Sequence, residues 1–389
     1  MYAWSVFTKP LESSHGWATV DITFAFTMVI VVMALSAALG GYILDTKGPR
    51  IVASIGGIFF GAGILLTGLG YNIASLTLIY FGYGLVCGIG LGFGYITPLA
   101  TLVKWFPDRR GLISGLAVMG FGLGSGLMSA FAPGMIDSLG TAMTLYIFGI
   151  IFFIAVVVSA QFLVSPPADF MPAGWTPAPG KVAGMPLGEA LRSKSFYLLW
   201  LMLFINVTAG VAVISRASPM AQTFMNGSSA GGSSPENAQL AGVLMLVFAL
   251  FNGMGRLFWA FLSDKIGRRQ VFVILFVSQS LAFYCISVSG SLAVFVILAC
   301  YIYSCLGGGF ATMPAYAADT FGSKFVGRIY GWMFTAKAAA AIAGPTLYAR
   351  VFQLYGSYSQ ALLITSIMFA AAVFLPFFAV KKKEAVYGN

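Results

Sequence analysis

Charged side chains are scarce along this chain of 389 residues. Only 8% of its residues are Asp, Glu, Lys or Arg, whereas 59% are hydrophobic. A soluble domain carries about a quarter charged residues, so this composition excludes a soluble fold. The apolar runs are continuous over about 20 residues or more, which is the length of a bilayer-spanning helix. They lack the two-residue alternation of a membrane β-barrel, so the sequence predicts an all-α, multi-pass membrane protein.

Residues that bind metals or form disulfides are also few. The chain has one His and four Cys, and each Cys lies within an apolar run without a C-x-x-C pair. This pattern predicts neither a disulfide framework nor a metal site. A membrane enzyme would need a cluster of His, Cys or acidic side chains at membrane depth, and none occurs. We therefore expect no enzymatic activity and no cofactor.

The apolar segments predict twelve transmembrane helices. The first, ending near Pro10, is predicted to be incomplete in this sequence. The other eleven are predicted at 19–43, 51–70, 74–103, 111–136, 142–165, 195–223, 237–263, 270–289, 291–318, 328–351 and 358–380. The longest break includes PPADFMPAGWTPAPGK and predicts a cytoplasmic linker over 166–194. Six-helix bundles are accordingly predicted over 1–165 and 195–389.

Basic residues predict the orientation of the chain. The net charge is +10, and Lys and Arg recur in every second loop, which is typical of cytoplasmic loops. These residues are Lys47, Arg50, Lys104, Arg109, Arg110, Lys181, Arg192, Lys194, Lys265, Arg268, Arg269, Lys324, Arg328, Lys381, Lys382 and Lys383. Both termini are therefore predicted to be cytoplasmic, in a cell (plasma or inner) membrane. The basic excess needs no nucleic-acid partner.

The two halves of the chain repeat a loop pattern. GGYILDTKGPR follows the second predicted helix and WAFLSDKIGRR follows the eighth, which places Asp45 and Asp264 at an offset of 219 (264 − 45). Arg110 and Arg328 lie at an offset of 218 (328 − 110). This repeat predicts two pseudo-symmetric bundles, with a substrate bound at their interface near the membrane midplane.

Two basic residues lie deep inside apolar segments. Arg256 is surrounded by VLMLVFALFNGMGRLFWAFL, and Lys337 by YGWMFTAKAAAAIAGPTLYA. A charge at this depth costs several kcal/mol, and no Asp or Glu lies in the middle of any apolar segment. The simplest compensation is a bound anion. The sequence therefore predicts a carrier for a small anionic solute.

Spacing places the two cations at similar depths. Arg256 precedes Asp264 by eight residues, a rise of about 12 Å, and Lys337 follows Arg328 by nine, a rise of about 13 Å. Asn252 lies one turn before Arg256 on the same face. The guanidinium offers a planar fork that suits a carboxylate, whereas the lysine is a point charge. Arg256, Lys337 and Asn252 are therefore the predicted anion ligands.

A loop motif resembles the gating signature of the major facilitator superfamily. The pattern G-x-x-x-D-x-x-G-x-R comprises Gly41, Asp45, Gly48 and Arg50, and its weaker echo includes Asp264 and Arg268, with Ala260 where glycine is expected. The resemblance implies the twelve-helix major facilitator fold. It also implies gating roles for Asp45, Arg50, Asp264 and Arg268, which would lock neighbouring helices on the cytoplasmic side and release them during alternating access.

A narrower resemblance rests on four stretches. YAW at 2–4, KWFPDRRG at 104–111, FNGMGR at 251–256 and FTAKA at 334–338 are similar to the oxalate/formate antiporter family and the related monocarboxylate transporters. The resemblance implies an apolar cage around the carbon skeleton of the anion. Its implied members are Tyr2, Tyr95, Leu306, Phe310 and Phe334.

Asn252 departs from the pattern of the animal monocarboxylate transporters, which carry a proton-coupling Asp there. Because Asn cannot titrate, other residues become candidate proton carriers: Asp21 near the outer end of a helix, Glu12 and His15 in a predicted outer loop, or Lys337 itself. Which of them carries a proton stays open at this point.

These observations predict a proton-coupled secondary active transporter of a small monocarboxylate of the lactate or pyruvate type, monomeric in the bilayer. An oxalate/formate-type exchanger is the alternative, because two cations could hold two carboxylates. A channel or a non-transporting sensor is a further alternative, although a pore would favour rings of like residues over the six-plus-six repeat.

Overall fold

The computed structural model describes residues 4–167, 170–172, 184–225 and 235–379, and these residues are mainly helical. Up to the linker the helices are α1 (Ser5–His15), α2 (Thr19–Lys47), α3 (Pro49–Asn72), α4 (Leu76–Trp105), α5 (Arg110–Leu139) and α6 (Thr141–Ala160). After it come α7 (Leu187–Arg192), α8 (Lys194–Met225), α9 (Pro235–Ile266), α10 (Arg268–Val288), α11 (Leu292–Phe321), α12 (Val326–Met333), α13 (Thr335–Tyr355), α14 (Ser359–Ala372) and α15 (Leu375–Ala379). No β-strand occurs among the described residues.

Nine spans within the described residues are long and apolar enough to cross a bilayer. They correspond to α2, α3, α4, α6, α8, α9, α10, α11 and the segment Ser359–Ala379. The remaining predicted positions are occupied by α1, by α5 and by α12 with α13. The predicted all-α membrane architecture is therefore confirmed. The hydrocarbon core of a bilayer offers no hydrogen-bond partners to the backbone, so each spanning helix pairs its own N–H and C=O groups.

Glycine ends two helices at equivalent positions. Gly48 separates α2 from α3 with φ +86°, and Gly267 separates α9 from α10 with φ +93°. These left-handed backbone angles favour glycine, because a Cβ atom would strain them. Their offset is 219 (267 − 48), the same as that of Asp45 and Asp264. The two halves therefore share backbone geometry as well as loop sequence at this turn.

Two local predictions differ from the structure. Glu12 and His15 lie within α1 rather than in an outer loop, because this helix continues to Gly16, whose φ of +66° ends it. The helix predicted over 328–351 begins at Val326 and is interrupted at Phe334. Its Lys337 therefore lies in the first turn of α13, just beyond the interruption.

The chain forms two compact units that do not coincide with its halves. The first unit contains Met1–Asp108, Gly120–Ala190 and Ala317–Ala338. The second unit contains Arg109–Met119, Leu191–Tyr316 and Ala339–Asn389. Each unit therefore takes a segment from the other half of the sequence. The predicted division into bundles over 1–165 and 195–389 remains a prediction, and much of the predicted linker lies outside the described residues.

Candidate anion-binding site

Arg256 lies on α9 in the second unit, and its side chain is held by uncharged acceptors. Only 4% of the residue is exposed. Its Nη1 donates a hydrogen bond to the main-chain carbonyl of Val118 at 2.6 Å, and its Nη2 donates to Asn252 Oδ1 at 3.0 Å. Its Nε is buried without an acceptor, and no carboxylate pairs with it in the part of the chain that the structure describes. The guanidinium is thus oriented but keeps its net charge.

Asn252 fixes the arginine from one turn away. Its Nδ2 donates to the carbonyl of Tyr303 on α11 at 3.0 Å, while its Oδ1 accepts from Arg256. The side chain therefore bridges α9 to α11 and aims the guanidinium at the same time. Sequence spacing predicted that Asn252 shares a face with Arg256, but its tie to the Tyr303 carbonyl was not predictable because it joins two separate helices.

Helix α11 passes close to Arg256 where it carries glycine. A Cβ atom at Gly307 would lie 3.0 Å from Arg256 Cγ, so only glycine lets the two helices approach this closely. The predicted cage residues Leu306 and Phe310 lie on the same helix and are buried, with 7% and 6% exposure. The Leu306 carbonyl accepts a hydrogen bond from Asn206 Nδ2 at 3.3 Å. Their predicted contact with a substrate remains a prediction.

Lys337 lies in the first unit among a thioether and two aromatic rings. Its Nζ is 3.8 Å from Met33 Sδ, 5.1 Å from the centre of the Phe334 ring and 5.9 Å from that of Tyr95. The rings of Tyr95 and Phe334 stack with their centres 4.5 Å apart. A cation within about 6 Å of a ring face is attracted by its quadrupole. The structure thus brings together three of the residues predicted for the site.

Tyr330 extends this aromatic cluster and was missed by the sequence reasoning. Its hydroxyl lies 3.3 Å from that of Tyr95, and its ring centre is 6.1 Å from that of Phe334. The residue precedes Lys337 by seven positions, which is two helical turns on one face. This spacing was an available signal. Tyr2, which was predicted to line the same pocket, lies outside the described residues.

Asp45 joins a helix start rather than the arginine of its own motif. Its side chain is 1% exposed and accepts from Lys104 Nζ at 3.0 Å. The backbone N–H of Arg328 donates to its other oxygen at 3.1 Å, with the Arg328 Nε 3.7 Å away. Arg50, the last residue of the same loop motif, has an exposed side chain. The carboxylate therefore neutralises the positive N-terminal end of α12.

Asp264 makes the equivalent contact in the second unit. Its two oxygens accept from the backbone N–H groups of Gly111 and Leu112 at 2.9 and 2.8 Å, at the start of α5. Arg268 Nη2 approaches it at 2.5 Å, so the two residues form an ion pair. A carboxylate at a helix start satisfies N–H groups that have no partner within the helix.

Asp45 and Asp264, the two acidic caps, each lie at one end of a seam, which is a pair of helices whose backbones are in close contact. In the first seam, α2 meets α12, and a Cβ at Gly41 would overlap the Gly327 carbonyl. In the second seam, α5 meets α9, and a Cβ at Gly115 would lie 2.6 Å from the Arg256 carbonyl. Small residues four positions apart allow such backbone contact, and both α5 and α12 carry the pattern G-x-I-x-G.

The seams revise the predicted register of the repeat. Gly111 and Gly327 occupy the same place beside their acidic caps, which gives an offset of 216 (327 − 111). Arg110 and Arg328, paired by the sequence at an offset of 218, are therefore two positions out of register. The glycines define the equivalent positions because they permit backbone contact, whereas the basic residues sit beside the seam.

Substitution of a seam glycine tests this packing. Gly41→Ala is expected to lower the stability of the protein by about 1–3 kcal/mol, because its Cβ would press on the backbone of α12. Gly120→Ala is the matched control, since none of the residues that the structure describes comes within 4 Å of a Cβ there. The measurement is the thermal unfolding midpoint of each purified variant in detergent. Equal midpoints for Gly41→Ala and wild type would contradict the seam.

His15 and Asp21, two of the predicted candidates for a proton carrier, both lie in the first unit. The His15 ring is 4.5 Å from that of Trp17 and 4.7 Å from that of Tyr71. Asp21 is exposed, and its backbone carbonyl accepts from the Tyr80 hydroxyl at 3.1 Å. Their role in proton transfer remains a prediction.

A comparison with family models agrees with this fold. The model of the Major Facilitator Superfamily matches residues 1–235 and again 218–388. The chain belongs to the major facilitator superfamily. It is therefore a multi-pass membrane transporter rather than an enzyme, and the predicted family resemblance is confirmed.

Individual members of the superfamily narrow the comparison. The oxalate:formate antiporter of Oxalobacter formigenes is 30% identical over 388 residues, covering 96% of this chain and 87% of that protein. Apicoplast pyruvate carrier 1 of Toxoplasma gondii is 25% identical over 394 residues, covering 84% and 68%. The solved structure of the E. coli fucose:proton symporter FucP has a TM-score of 0.75 at 14% identity, covering 98% and 95%. That last likeness supports the fold alone.

Proposed function

We propose that this major facilitator protein is a secondary active transporter of a small monocarboxylate of the lactate or pyruvate type. One observation carries the proposal: the buried guanidinium of Arg256 is aimed by two neutral acceptors and has no carboxylate partner among the described residues. A buried charge is costly unless an opposite charge pairs with it. A substrate carboxylate would provide that pairing.

The donors of Arg256 suit a planar anion. Nη1 donates one hydrogen bond to the Val118 carbonyl, and Nη2 donates one to Asn252. Nε is buried and has no acceptor among the described residues. A guanidinium has five N–H donors in a rigid fork, so Nε and the second N–H of Nη2 can bind both oxygens of one carboxylate. Such charge-assisted, bidentate bonds are about twice as strong as neutral ones.

Lys337 is proposed as the second cation of the transport cycle. Its ammonium group lies beside Tyr95 and Phe334, with Met33 on another side. These groups are apolar apart from the tyrosine hydroxyls, which suits a short carbon skeleton next to a charge. Tyr95 and Tyr330 could also donate hydrogen bonds to a bound acid.

The choice of a monocarboxylate rests on the apolar residues Leu306 and Phe310 on the helix that passes Arg256. The pyruvate carrier among the relatives supports this choice. The alternative, an oxalate/formate-type exchanger, is favoured by the 30% identical antiporter and by the presence of two cations. The two functions therefore make opposite predictions about which acid binds better.

Competition in proteoliposomes separates the two functions. Unlabelled lactate or pyruvate is expected to inhibit the uptake of labelled lactate more strongly than oxalate does, because an apolar wall leaves the second carboxylate of oxalate without a partner. The size of this difference is expected to be about tenfold or more in inhibitory concentration. Acetamide, which has a similar shape but no charge, is the control and should not compete. Stronger competition by oxalate would replace the first function with the second.

The acidic caps suit alternating access. Asp45 and Asp264 each bind the start of a helix through hydrogen bonds and charge. These non-covalent contacts can break and form again together when the helices move apart. We therefore propose both as gating residues, together with Arg50 and Arg268. A cell membrane with both termini in the cytoplasm is the proposed setting, with the transporter acting as a monomer.

A further inference from the structure

We infer that Arg256 has a second function. It ties α5 to α9 at the end of the second seam that lies opposite Asp264, and a bound carboxylate loosens that tie. Asp264 holds the other end of the same seam through the N–H groups of Gly111 and Leu112. The residue proposed to bind the substrate is therefore also a structural clamp. The loosening rests on the proposed function, whereas the tie itself does not.

The contacts along the second seam follow one face of α5. Gly111, Gly115 and Val118 recur at four and three positions, which is the spacing of one helical face. A Cβ at Gly115 would lie 2.6 Å from the Arg256 carbonyl, so the backbones touch without side chains between them. The Nη1 bond from Arg256 to the Val118 carbonyl, at 2.6 Å, then spans the two helices beyond that contact. Asp264 and Arg256 therefore bracket the seam.

The first seam shows that helix packing does not require such a tie. The offset of 219 that relates Asp45 to Asp264 places Ala37 at the position of Arg256 (256 − 219). A Cβ at Gly331 would lie 2.5 Å from the Ala37 carbonyl, so this seam is equally close. Alanine has no donor to offer the opposite helix. The guanidinium tie is thus a specific addition to the second seam.

The tie and the substrate draw on the same group. The Val118 carbonyl is a neutral acceptor, whereas a carboxylate carries a negative charge and can form two parallel hydrogen bonds to the guanidinium. A carboxylate that binds the fork neutralises the guanidinium and pulls it towards the anion. The bond to Val118 then weakens, while the cap at Asp264 remains.

The chain has room for α5 to respond just beyond the tie. Val118 is followed by Gly120 and Gly124, and no atom of the described residues lies within 4 Å of a Cβ at either position. Glycine lowers helix stability by about 0.5–1 kcal/mol relative to alanine. A loosened seam would therefore allow α5 to bend at this stretch without a steric clash.

Hydrogen–deuterium exchange of the purified full-length protein in detergent tests both parts. Peptides that cover 111–122 are followed in wild type, in Arg256→Gln and in Arg256→Lys, each without added acid. Both variants are expected to exchange about tenfold faster over this stretch, because neither retains a fork that spans Val118 and Asn252. Lys337→Gln is the matched control: it removes a buried cation that lies outside this seam, and it should leave exchange over 111–122 unchanged.

The wild-type protein is then measured with sodium lactate, pyruvate, oxalate or formate. Binding is scored independently as a rise in the thermal unfolding midpoint. A probe that stabilises the protein is expected to speed exchange over 111–122, and unchanged or slower exchange with that probe would overturn the loosening. Unchanged exchange in folded Arg256→Gln and Arg256→Lys would overturn the tie. If no probe binds, the proposed function and the loosening both fail, and the two variants still decide the tie.

Discussion

Arg256→Gln is expected to lower carboxylate uptake into proteoliposomes by about 100-fold or more. The substitution removes the charge and the N–H fork that would bind the substrate, and a hydrogen bond to a charged group is worth about 1.5–3 kcal/mol. Two such bonds correspond to at least a hundredfold in affinity, since each 1.4 kcal/mol is a factor of ten. The measurement is the initial rate of labelled lactate uptake, normalised to the amount of folded protein in the vesicles.

Two further variants separate charge from geometry. Arg256→Lys keeps the charge but loses the fork, so its uptake should be strongly reduced but above that of Arg256→Gln. Arg269→Gln is the matched control, because this arginine is exposed and lies over the Phe377 ring at 4.4 Å. Its uptake should equal that of wild type. Wild-type rates for Arg256→Gln would remove this residue from the anion site.

Lys337→Ala is expected to abolish accumulation driven by an inward-acid pH gradient. Asn252, which cannot titrate, occupies the position at which the animal monocarboxylate transporters carry a proton-coupling Asp, so another group has to carry the proton. We predict that Lys337 gains and loses a proton during transport, so that carboxylate and proton move together. A gradient of one pH unit is worth about 1.4 kcal/mol and can support about tenfold accumulation. Wild type should approach this ratio, and the variant should show none.

Counterflow exchange gives the corresponding control. It needs binding and conformational change but no net proton movement, so Lys337→Ala should retain part of its exchange activity while losing the response to pH. Lys265→Ala, which removes an exposed lysine over the Phe261 ring at 4.6 Å, should behave as wild type in both assays. If wild-type uptake ignores the pH gradient but responds to internal carboxylate, the protein is an exchanger. Lys337 would then be a fixed charge for a second carboxylate group.

The positions of the helices could be predicted from the sequence because each membrane-spanning helix is a continuous run of mainly apolar residues. The predicted segment 51–70 corresponds to Pro49–Asn72, and 237–263 lies within Pro235–Ile266. The end of α1 was missed, because residues 12–15 are polar and only the left-handed Gly16 marks the boundary. The interruption at Phe334 was also missed, since it falls inside one uninterrupted apolar run.

The candidate site was predictable where sequence spacing implies contact, and at Tyr95, which the family resemblance assigned. Asn252 and Arg256 are four residues apart on one helix and do form a hydrogen bond. Lys337 and Phe334 are three residues apart and lie close together. Met33 and the Val118 carbonyl could not be assigned, because they approach these cations from helices distant in the chain.

The sequence alone determined the membrane class, the superfamily and the two buried cations. Each of these depends on which residue types occur within a single segment, and the bilayer penalises a misplaced charge strongly enough to make that pattern readable. The tertiary structure decided that Asp45 binds Lys104 and the start of α12 rather than Arg50, and that the repeat aligns through its glycines. These features depend on how closely two helix backbones approach, and that distance is set by interhelical packing rather than by any local period in the sequence.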